Sequence, residues 1–172
     1  MDLCKEILKE HSKSQTLRLA RWVGRDKKRF TELMKLFLHG EYRVVQRSAW
    51  ILKQVAGEHP GWVKPYLKKM LEYCRKPVHD AVKRNVIRIL EDIPLPKNLQ
   101  GLAATVCFDF LGSSDEPVAV KVFSMSVLAN IAKEEPDLKD ELRTLISEQM
   151  DYGTPAFRSR GRKILKALME SS

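Results

Sequence analysis

The 172-residue chain carries four histidines, three cysteines and three tryptophans, the residue types that most often hold metals, act as nucleophiles or anchor partners. Their spacing supports little of the first two chemistries. His11, His39, His59 and His79 are scattered, and no two share the separation that would put both imidazoles on one helical face, so no metal site is expected. Cys4, Cys74 and Cys107 are odd in number and far apart. They form neither a zinc knuckle nor a redox pair and read as thiols of a reducing compartment. The acidic pairs Asp115-Glu116 and Glu134-Glu135 fall in expected connecting loops, where carboxylates commonly begin helices, and this gives paired-carboxylate catalysis little support. A glycine-rich phosphate loop and a nucleophile elbow are both lacking. No catalytic residue, cofactor or metal is therefore expected. An enzyme would have to be assembled from unmarked residues, and a non-catalytic protein is the reading adopted.

Recognition chemistry is better represented. The net charge is +9, unevenly spread: residues 1–60 hold 13 basic against 7 acidic side chains, residues 61–95 hold 8 against 4, residues 96–135 hold 3 against 5, and residues 136–172 hold 7 against 6. Two basic clusters stand out, Arg25-Asp26-Lys27-Lys28-Arg29 and Phe157-Arg158-Ser159-Arg160-Gly161-Arg162-Lys163. Arg158, Arg160 and Arg162 are candidate phosphate ligands, since clustered cations release counterions from nucleic acid. The plainer reading of either cluster is a solvated face. Neither has the interleaved aromatics that single-strand binding wants.

These residues need elements to position them, and the elements repeat. Four segments share an apolar pattern with spacings of four, three, one and three: Val44, Ser48, Ile51, Leu52, Val55; Val82, Val86, Ile89, Leu90, Ile93; Val120, Ser124, Val127, Leu128, Ile131; and Phe157, Gly161, Ile164, Leu165, Leu168. Such offsets place five side chains on one helical stripe, with a small second residue in three of the four to admit a neighbouring helix. The anchors Leu52, Leu90, Leu128 and Leu165 recur after 38, 38 and 37 residues, a period that suits a two-helix unit. A second helical pattern precedes each segment, as in Phe30, Leu33, Met34, Phe37 and Leu38. Turn chemistry marks the boundaries: His39-Gly40 closes one helix, and Gly57 to Gly61, Ile93 to Pro96, Gly112 to Pro117 and Glu134 to Asp137 are separators. Pro117 and Pro155 are placed just inside helix starts.

The expected architecture is all-α, a right-handed α-α superhelix of about five helical hairpins and ten helices. One domain spans 1–172, in units of approximately 2–24, 26–57, 61–93, 96–132 and 137–170. No segment approaches the roughly 18 apolar residues of a membrane span. Met1-Asp2-Leu3-Cys4-Lys5-Glu6 puts charges where a signal peptide needs an apolar run. A cytoplasmic protein without membrane contact, a monomer or weak homodimer, is expected.

On a helical wheel, the face opposite the stripe holds Gln46, Trp50 and Lys53 in the second unit and Arg84, Arg88 and Glu91 in the third. The fourth unit offers Val122, Ser126 and Ala129, and the fifth Ser159, Lys163 and Lys166. Two basic segments thus flank an apolar one. Trp50, Lys53, Arg84, Arg88, Lys163 and Lys166 are the candidate partner-binding residues, with Trp50 as anchor; packing against the adjacent unit is the competing reading for Trp50. Trp22 and Trp62 sit near hairpin ends, and Trp62 reads as a packing residue beside Pro60. The segment from Val118 to Ile131 is apolar nearly all round, which implies burial or a partner contact.

The segment Asp80-Ala81-Val82-Lys83-Arg84-Asn85-Val86-Ile87-Arg88-Ile89-Leu90 closely resembles the HEAT repeat consensus, in which an Asp and a following basic residue at the start of the second helix link neighbouring units. Lys83, Lys121 and Arg158 match the basic position; Val45 departs from it, and Tyr42, Val118 and Pro155 stand where the Asp would be. The resemblance implies a HEAT-like helical stack; that fold and the lack of catalytic chemistry point to a protein-interaction scaffold, in which Trp50, Arg84, Arg88 and Lys163 would hold an acidic or helical segment. A more distant similarity to HEAT-like DNA alkylation repair proteins implies nucleic-acid binding as the alternative. Those enzymes pair groove aromatics with a carboxylate, whereas one turn after Trp50 stands Gln54. Binding without base excision is the form this alternative takes.

Overall fold

A computed structural model describes residues 1–171. Eleven α-helices follow one another among the described residues, with no strand. They are α1 (Leu3–Lys9), α2 (Lys13–Val23), α3 (Lys27–His39), α4 (Tyr42–Glu58), α5 (Pro60–Val63), α6 (Leu67–Cys74), α7 (Asp80–Asp92), α8 (Lys97–Gly112), α9 (Val118–Ala132), α10 (Lys139–Gln149) and α11 (Pro155–Glu170). A 3-10 turn at Lys64–Tyr66 joins α5 to α6, so these three pieces together fill the place of one helix and make the total ten. The turn tightens around Pro65, whose ring removes a backbone donor.

Local chemistry sets the boundaries. Asp2, Ser12, Asp26 and Thr154 each accept a hydrogen bond from an amide of the following turn, satisfying donors that lack an intrahelical partner. Two expectations about turns are corrected. The stretch from Gly57 is not a loop, because α4 runs through Gly57 to Glu58 and only His59 separates it from α5. His59 leaves the helical conformation (φ −131°, ψ 61°) because the Pro60 ring bars the residue before it from the α region. Pro117 is the N-cap of α9 and not its first residue, whereas Pro155 does occupy the first turn of α11.

The chain divides into two compact units, Met1–Asn85 and Val86 onward, with the division inside α7. In the first, α1 packs on α2 and α3 on α4, while first helices meet (α1 with α3) and second helices meet (α2 with α4). The second repeats this scheme: α8 pairs with α9 and α10 with α11, α8 also touches α10, and α9 touches α11. Each unit is therefore two layers of helices stacked hairpin on hairpin, the packing of an α-solenoid.

The stripes are the core. All five stripe residues of α4, of α7 with Ile93, and of α9 are buried; on α11 only Leu165 is half-exposed. The helix α9, apolar nearly all round, is enclosed by α8, α10 and α11, and Val122 and Met125 outside its stripe are buried too. Cys107 lies wholly inside, beside the Ser124 hydroxyl, and burial pushes its thiol up to about 12, so it is a packing residue and not a nucleophile. Gly161 lets α11 approach α10: a Cβ there would stand 2.9 Å from Met150 Sδ and 3.0 Å from Ile146 Cγ2.

Two substitutions test this packing. Leu90 is 2% exposed, and Leu90→Asp buries a carboxylate at a cost of several kcal/mol, against a total stability of about 5–15 kcal/mol. Loss of the cooperative thermal transition in circular dichroism is expected; a soluble, fully helical variant would put Leu90 at the surface. Gly161→Val overpacks the α10–α11 contact and should cost about 2 kcal/mol, lowering Tm by about 4–8 °C, while an unchanged Tm would show that the contact is loose.

Candidate functional site

Trp50 projects from α4 and is 38% exposed. His11, from the connection between α1 and α2, meets it edge-on at 5.7 Å between centroids. The preceding hairpin thus covers part of the indole and leaves the rest open. Lys53 lies on the same helix, and Arg84 on α7; both are half-buried. Arg47 anchors the platform by donating to the carbonyls of Ile7 and Leu8 at 3.2 and 2.9 Å. It holds α4 against the open end of α1, where helix carbonyls lack partners.

Several other aromatics of the first unit contact one another. His59 stacks on Trp62 at 4.3 Å, and Trp62 meets Phe30 edge-on at 5.6 Å. His39 contacts Tyr73, and His79 contacts Tyr42, so all four histidines pair with rings. In the N-terminal basic cluster, the Arg29 guanidinium lies 4.1 Å over the Trp22 ring, donates to the Trp22 carbonyl at 2.9 Å and sits 3.6 Å from Asp26. Arg29 therefore closes the α2–α3 turn, whereas Arg25, Lys27 and Lys28 are exposed.

In the second unit, the Arg88 guanidinium stands 5.8 Å from the centroid of the Phe123 ring, within reach of a cation–π attraction. Arg160 donates to Glu91 Oε1 at 2.6 Å and also to Ser126 Oγ, tying α11 to α7 and α9. Its side chain is committed inside the unit. Of the other candidate phosphate ligands, Arg158 is half-buried and Arg162 exposed. Lys163 and Lys166 are exposed, the latter 3.8 Å from Glu170, a surface pair of little energetic weight. Val122 and Ser126 are buried and Ala129 half-buried, because α9 is enclosed by its neighbours.

At the position of the consensus basic residue, Lys121 donates to Gln149 Oε1 at 2.9 Å, and Gln149 Nε2 donates to the carbonyls of Leu111 and Leu145 at 2.9 and 3.0 Å. Burial lowers the Lys121 pKa, and Glu116 opposes that shift. A lysine–glutamine–carbonyl chain thus links the fourth and fifth hairpins. Nothing in the apolar pattern marks Gln149, which sits between helix end and turn and is known only by its bonds.

Among the described residues no group of three or more His, Cys, Asp or Glu side chains is placed to hold a metal ion, and no helix is long and apolar enough to cross a membrane. No curated protein matches the chain. The HEAT repeat domain family matches residues 3–168, and repeats of this kind commonly mediate contacts between proteins. Hairpins stacked in two layers at a 38-residue period, and a match that covers nearly the whole length, lead to one conclusion: the chain belongs to the HEAT repeat domain family.

Proposed function

We propose that the protein is a non-catalytic interaction module or scaffold that holds an acidic partner segment against the faces of its second helices opposite the buried stripes. The exposure of Trp50 carries this reading. A large aromatic held by α4, steadied by His11 and left 38% open, has the character of an interface anchor. Lys53 and Arg84 supply cationic surroundings in the first unit. Arg88, Lys163 and Lys166 do so in the second, with Arg88 oriented over Phe123. The positive charge of these residues favours a negatively charged partner. Of the site residues named from the sequence, Arg160 supports its own fold through Glu91 and Ser126 and acts as a positioning residue.

Affinity purification with the intact chain as bait supplies the test. Trp50→Ala should weaken capture of the recovered partner by about 30-fold or more, equivalent to about 2 kcal/mol. The double variant Arg84→Glu and Arg88→Glu should abolish capture without loss of helical signal. A partner indifferent to all three changes would refute this placement.

The exposed run Arg162, Lys163 and Lys166 on α11 motivates a second reading, phosphate contact with nucleic acid. If these three and Arg158 each neutralise one phosphate, log Kobs should fall against log salt with a slope of about −3 to −4. Absence of any mobility shift at low salt would eliminate this alternative.

A further inference from the structure

The flank of α9 that faces the following hairpin carries Lys121, Met125, Leu128 and Ala132, a row with spacings of four, three and four. Lys121 is half-buried and the other three are buried. The same register on α4 holds Val45, Ala49, Leu52 and Ala56, all buried as well. On α11 it holds Arg158, Arg162, Leu165 and Met169, and there the row is open: Arg162 is exposed, Met169 is 65% exposed, and Arg158 and Leu165 are half-exposed.

A completed interface of this kind stands one hairpin earlier. There α11 packs on α9, and Lys121, at the head of the α9 row, reaches forward to an acceptor on the next hairpin, Gln149 Oε1 at 2.9 Å. Arg158 stands in the register of Lys121. Among the described residues, however, neither its guanidinium nor that of Arg162, one turn on, forms an ion pair; the pairs of this hairpin are Arg143 with Asp140, Arg160 with Glu91 and Lys166 with Glu170. The end hairpin of a solenoid ordinarily turns a polar face outward. This one keeps the apolar half of an interior interface, Leu165 and Met169, beside two unpaired cations.

An occupant of this flank must therefore bring an apolar stripe and an acceptor at one end of it. Arg158 and Arg162 lie four residues apart on one face of the helix, so one carboxylate can accept from both guanidinium groups. Leu165 and Met169 carry the row on for two more turns, a line that the apolar stripe of another helix can follow. A second copy meeting this flank through the same row would bring two more arginines and no acid, and like charges oppose that pairing. We infer that α11 docks an acidic amphipathic helix of a different protein, laid along Arg158, Arg162, Leu165 and Met169 as the second helix of a further hairpin would be. Lys163, in the register of Trp50, belongs to another face of α11, so this assignment does not rest on the proposed function.

The test is titration of the 15N-labelled full chain with an alanine-based peptide of about 16 residues, long enough to form a helix, that carries leucines along one stripe and glutamates at one end of it. Amide signals of Arg158, Arg162, Leu165 and Met169 should move while those of Ala49, Trp50 and Lys53 stay. Replacing the peptide's glutamates by glutamine should weaken binding about tenfold, and Arg162→Gln in the chain should do the same. Met169→Gln should cost a similar factor through lost apolar contact. Arg162 and Met169 are exposed, so both variants should keep the helical signal and the thermal midpoint. Equal binding of the glutamine peptide would overturn the carboxylate assignment. Shifts confined to the surroundings of Trp50, or none at all, would overturn the docking site. Sedimentation of the chain alone as a dimer that Met169→Gln dissociates would give the flank to a second copy and overturn the choice of occupant.

Discussion

The stripe along each second helix cannot be buried by its own hairpin alone, and this constraint governs the rest of the structure. Val120, Ser124, Val127, Leu128 and Ile131 on α9 are all buried, which requires α8 on one flank and α11 on another. Fully burying one such aliphatic chain contributes about 1.5–3 kcal/mol, so apolar contact between hairpins adds to that within them in holding the stack. Small residues are part of the same solution. Ser48 and Ser124 are fully buried in their helices, and Gly161 stands where a Cβ would press on Met150 and Ile146.

Polar contacts follow the same period. Arg47 donates to the Leu8 carbonyl across 39 residues, Asn130 to the Glu91 carbonyl across 39, and Gln149 to the Leu111 carbonyl across 38. In each case a side chain of one hairpin reaches the carboxyl end of a helix one repeat earlier, where carbonyls have no intrahelical partner. Rings keep a similar separation in His11 with Trp50 and Tyr42 with His79. The consensus ladder of Asp and base gives way to this more varied set, since only the third unit has both members.

Most of the architecture was legible because a helical stripe encodes direction directly. The offsets four, three, one and three specify an azimuth, and the buried stripes of α4, α7 and α9 lie there; the exposed azimuths of Trp50, Lys163 and Lys166 come from the same geometry. What the wheel lacks is reach. Arg160 looked like a free surface cation because its spacing carries no information about Glu91, 69 residues away. Leu165 shares the stripe but ends half-exposed, as the last hairpin has no successor among the described residues to cover it. The break at His59 was hidden for another reason: Gly57 reads as a stop, yet the helix ends only where Pro60 forbids the preceding residue to continue. Gln100 was invisible for the same reason as Arg160: its bonds to Glu134 and the Leu95 carbonyl follow no sequence pattern.

The carbonyl contacts running backward by one repeat also impose an order in time. While the chain emerges from the ribosome, the terminal carbonyls of α1 stay open to water until Arg47 has been synthesised. The end of α8 waits in the same way for Gln149. Three of the hairpins are finished in this way by residues of their successors, so nascent intermediates should carry a loosely closed repeat at their growing edge.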